Sequence, residues 1–68
     1  MTNTALLADR IKKSGYRKSY IAKRLGLTAY GFARKVRGDS EFKAAEIATL
    51  CELLGIDDLA EKEAIFFA

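Results

Sequence analysis

Between glycines at positions 15, 26, 38 and 55, the chain holds stretches of ten to sixteen residues whose apolar side chains recur at helical spacing. Ile47, Leu50, Cys51 and Leu54 are the clearest case, lying at i, i+3, i+4 and i+7. There is no proline, no Ser/Gly-rich linker and no repeat, so the pattern predicts one all-α domain of short helices over residues 1–68. A chain of 68 residues buries only about 60% of its unfolded surface. The helices must therefore share a single core of modest stability.

Five helices are expected. The first starts at Asn3 or Thr4, places Leu7 and Ile11 on one face and ends at Gly15. The second runs from Lys18 to Leu25, with Ile21 and Leu25 at i, i+4, and stops at Gly26. Thr28 is a good N-cap for the third, which reaches Arg37 despite Gly31 near its middle. Helix four covers Ala44 to Leu54, with Phe42 and Ile47 at the spacing of a hydrophobic staple around Lys43. A fifth begins near Asp58, where Asp58 and Glu61 are spaced as a capping box and Leu59 and Ile65 can turn inward.

Composition excludes several classes of function. With one cysteine and no histidine, the chain has neither an internal disulfide nor a standard zinc spacing, and it lacks the commonest general base. No enzyme activity, metal, cofactor or small-molecule ligand is expected. The longest fully apolar run is five residues, Ala64 to Ala68, too short for a bilayer span or a secretory signal, so the expected location is the cytoplasm. Charge is unevenly distributed. Residues 1–43 carry eleven Lys/Arg against three acids, whereas residues 44–68 carry Lys62 against six. The first part thus suits a polyanion, although a solvated mixture of charges has the same composition.

The residues around Gly26 have the construction of a helix-turn-helix. Ala22 is small where two helices would cross, Gly26 permits a left-handed turn, Leu27 plugs the angle, and Phe32 with Val36 anchors the next helix. The stretch "IAKRLGLTAYGF" resembles the helix-turn-helix of lambda-type phage repressors and Cro proteins. "GYRKSYIAKRLG", "KVRGDSEFKAAEI" and the closing "IFF" extend the likeness to the small Cro-like regulators of Gram-positive phages and prophages. The resemblance implies a compact five-helix lambda-repressor-like domain with the motif at about 18–37. It also implies a transcriptional regulator that inserts helix three into the major groove of an operator.

Successive residues of a helix are turned by about 100°, so positions on helix three can be counted round from Tyr30. Phe32 and Val36 fall on the side opposite Tyr30, whereas Arg34 and Arg37 fall within about 40° of it. Tyr30, Ala33, Arg34 and Arg37 then face away from the core. The resemblance places base reading at the start of this helix and one turn on, here Thr28, Ala29, Tyr30 and Arg34. Arg34 can bond guanine O6 and N7 together, and the methyl of Ala29 or Ala33 can meet a thymine methyl. Tyr30 is open to three roles: contact with a base, contact with a phosphate, or packing at the surface. Phosphate contacts are expected from Arg17, Lys18, Lys35, Arg37 and Lys43. Arg17, Lys18 and Lys43 stand at helix N-termini, where a cation opposes the macrodipole unless a phosphate is bound.

One such unit reads few base pairs, so a homodimer is expected, formed either freely or only on DNA. Leu59, Ile65, Phe66 and Phe67 in the 57–68 helix and tail are its candidate contacts, with burial in the monomer core as the alternative. Two other readings use the same fold: an antitoxin-like module that binds DNA and a protein, and an interaction module that has lost DNA binding. Eleven cations in the first part speak against the last.

Overall fold

Local capping chemistry divides the chain into five helices, seen in a computed structural model that describes all of residues 1–68. They are α1 (Thr4–Ser14), α2 (Lys18–Arg24), α3 (Ala29–Val36), α4 (Ala44–Leu54) and α5 (Leu59–Phe66), and there is no strand. Asn3 caps α1 by accepting from Leu6 N at 3.1 Å, and Thr28 caps α3 by accepting from Gly31 N at 3.0 Å. No helix is long and apolar enough to cross a membrane.

The core gathers one stripe from each helix. Leu7 and Ile11 of α1, Ile21 and Ala22 of α2, and Phe32 of α3 are buried against the α4 stripe of Ile47, Leu50, Cys51 and Leu54. Phe42, in the link before α4, meets Phe32 edge-on at 6.3 Å and Phe66 at 6.0 Å. Such pairs add about 0.5–1.5 kcal/mol beyond their burial. Both halves of the expected staple, Phe42 and Ile47, are buried.

The C-terminal helix departs from expectation. Ile65 and Phe66 are 1% and 2% exposed, so these two are core residues, not dimer contacts. Adjacent side chains are both enclosed because the last turn of α5 lies between Phe42 on one side and the N-terminal segment on the other. That segment is held by Asn3 N donating to Ile65 O at 2.6 Å. Leu59, expected to reach inward, is 66% exposed, and Phe67 is 59% exposed. The capping box also fails to form. Asp58 accepts from Ala60 N at 3.1 Å, while Glu61 pairs with Arg10 of α1 at 3.2 Å. Arg10 also donates to Leu54 O, so one side chain of α1 joins the end of α4 to α5.

Candidate nucleic-acid interface

The link from α2 to α3 sets how α3 is presented. Gly26 has φ +73°, a left-handed conformation that side chains rarely adopt, and Leu27 N returns to Ala22 O at 2.9 Å. Leu27 packs against the core from a half-buried position, Ala22 is buried, and α2 packs on α3. With Phe32 1% exposed, α3 has one rotational setting. Thr28, Tyr30 and Arg34 are exposed at its start and on its outer side, Tyr30 at 71%, and Ala29 is exposed on the flank that faces the start of α2.

Gly31 lies at the third position of α3, beside the cap. A Cβ there would sit 3.2 Å from Thr28 Oγ1, closer than ordinary contact, so the glycine gives the capping hydroxyl room. An internal helical glycine costs about 1 kcal/mol against alanine, and the Thr28 cap contributes a similar amount.

The expected phosphate-binding residues fall into two groups. Arg17 and Lys18 are exposed at the start of α2, which has no side-chain cap, and Lys43 is exposed at the start of α4. Arg37 is also exposed and holds Asp39 Oδ2 through Nε at 3.1 Å and Nη2 at 3.0 Å. An exposed pair of this kind is worth about 0–1 kcal/mol, too little to withhold Arg37 from a phosphate.

Lys35 does not belong with them. Its Nζ lies 2.6 Å from Glu46 Oε1, and the two side chains are only 11% and 10% exposed. At about 140° from Tyr30 it sits nearer the Phe32 side of α3 than the outer face, which directs its ammonium to α4. The same Glu46 oxygen accepts from Lys43 N at 2.8 Å. Burial pushes the Glu46 carboxyl up. The Lys35 ammonium and the Lys43 backbone N–H together outweigh it and hold the group below its ordinary value. Glu46 thus closes one half of a capping box on Lys43 N–H, while the Lys43 side chain caps none of the first-turn N–H groups of α4.

Outside this set, Tyr16 and Tyr20 stack with ring centroids 5.3 Å apart, and Arg24 donates to the Tyr20 hydroxyl at 3.0 Å. Both tyrosines are more than 40% exposed. Sequence reasoning missed this cluster, although Tyr20 and Arg24 stand at i, i+4 within α2 and Tyr16 lies just before it.

No protein-family model matches the chain, and neither the curated proteins nor the solved structures contain a significant match.

Proposed function

We propose that the chain is a sequence-specific double-stranded DNA-binding regulator of the lambda-type repressor and Cro kind, with α2 and α3 as its helix-turn-helix. The observation that carries this reading is the setting of α3. It is pinned by Phe32 from below and joined to α4 through Lys35 and Glu46, yet it leaves Tyr30 and Arg34 free on an outer face, with Lys18 and Arg37 flanking the helix and Arg17 and Lys43 exposed at the starts of α2 and α4. Eight helical residues span about 12 Å, the width of a major groove. The whole chain measures 28 Å at its longest, less than the roughly 34 Å between successive major-groove half-sites. Two copies are thus needed to read two half-sites, and Leu59 and Phe67 remain as exposed apolar contacts for them.

Base reading and backbone binding separate by mutation. Arg34→Ala should cost about 1–3 kcal/mol on the preferred duplex and relax one base position, whereas Lys18→Ala should weaken preferred and random duplexes alike. Equal losses for Arg34→Ala on both duplexes, measured by fluorescence anisotropy, would remove Arg34 from base reading.

The Tyr16, Tyr20 and Arg24 cluster favours a second reading, an antitoxin-like module that binds a protein as well as DNA. Exposed aromatics and arginine are the residues most enriched in protein interfaces.

A further inference from the structure

Two hollows meet beside α3. One, of about 250 Å³, opens between the start of α2 and α3, lined by Ala29, Phe32 and Ala33 with Lys18 and Arg37. The other, of about 430 Å³, runs past the end of α1, over Ala8 and Ile11, and includes Lys12 and Tyr16. Lys18 and Val36 line both, so the two adjoin and are taken together as one trough. Lys12, Lys18 and Arg37 supply its only charges, and no carboxylate lines either hollow.

An apolar floor with cations alone along it is complementary to a polymer that alternates carbon-rich and anionic units. The sugar–phosphate strand of DNA is such a polymer, with one negative charge per nucleotide. An acidic peptide shares some of that chemistry. The trough, however, begins on the flank of α3 that carries Ala29, Ala33 and Arg37, and a duplex whose major groove holds α3 must run one of its strands beside that helix. Lys12 makes no ion pair, whereas its neighbour Lys13 is joined to Asp9 at 2.9 Å and lies outside the trough.

We propose that the trough is the track of one DNA strand, leading from α3 across the start of α2 to the end of α1, and that Lys12 is a phosphate-binding residue at its far end. The inference rests on α3 being the DNA-reading helix. It assigns Lys18 through its place in the trough, where the side chain meets the strand, and extends the contact surface by about a turn of α1.

Anisotropy titrations of a labelled duplex between about 50 and 200 mM salt test it. Lys12→Ala should make the log–log salt slope shallower by about 0.9 and weaken preferred and random duplexes by the same factor. Lys13→Ala, one residue away, should leave the slope unchanged. A Lys12→Ala slope equal to that of the unaltered chain overturns the trough while leaving the α3 reading in place. Equal changes from both lysines also overturn it, since net charge alone then suffices. If the unaltered chain binds no duplex at any of these salt concentrations, the α3 reading and the trough fail together.

Discussion

Phe66→Ala should leave most of the chain unfolded at 25 °C, at every protein concentration. Emptying a buried phenylalanine site costs about 3–5 kcal/mol, and a core in a chain this short supplies no more than about that in total. Phe66 is 2% exposed, and its ring closes on Phe42, which in turn closes on Phe32 under the outer face of α3. Its loss therefore opens the floor beneath the proposed reading helix. Phe67→Ala, one residue on at an exposed position, should change stability by under about 0.5 kcal/mol. Urea unfolding followed by circular dichroism at two protein concentrations checks both. A Phe66→Ala loss that diminishes at high concentration would make Phe66 an interface residue after all.

Glu46→Ala should destabilise the fold by about 2–3 kcal/mol. Removing one partner of a fully enclosed ion pair costs about 3–5 kcal/mol, and the smaller figure applies here because Lys35 has a flexible stem that can carry its charge to water. The same carboxylate holds the first turn of α4, so its loss also frees Lys43 N–H. The pH dependence has a definite sign. The folded-state value of Glu46 is lowered, so its contribution is complete above the unfolded carboxylate range near pH 4.3 and disappears as pH falls through the lower folded value. Glu46→Gln keeps an acceptor for Lys43 N–H and should flatten that acid limb of the stability curve. An acid limb identical to that of the unaltered chain would contradict the pairing.

What the sequence discloses here follows the range of each interaction. Caps act over three or four residues, so Asn3, Thr28 and the left-handed glycines at 15, 26, 38 and 55 place the ends of α1 to α4 within a residue of expectation. Rotation about α3 likewise yields its buried Phe32 and exposed Tyr30 and Arg34 from one anchor. Lys35 is misplaced because its partner Glu46 lies in another helix, and Glu61 because Arg10 lies far away in the middle of α1. Phe66, open in the sequence between core and dimer contact, is decided by distant contacts in the same way. Helical periodicity puts adjacent residues about 100° apart, and both are covered because Phe42 lies on one side of the last turn of α5 and the N-terminal segment on the other. The role proposed for Lys12 has no local signal, because it depends on the end of α1 lying beside the start of α2, which no local spacing encodes.

Selection of duplexes from a random pool by the intact chain tests the role of α3 most directly. The expected product is a short consensus in two related half-sites about 10–10.5 base pairs apart, bound with an affinity that falls linearly on a log–log plot against salt. Arg34→Ala should recover a pool degenerate at one position of each half-site. A pool retained by the unaltered chain with no consensus, or one whose consensus Arg34→Ala recovers unchanged, would contradict base reading by α3.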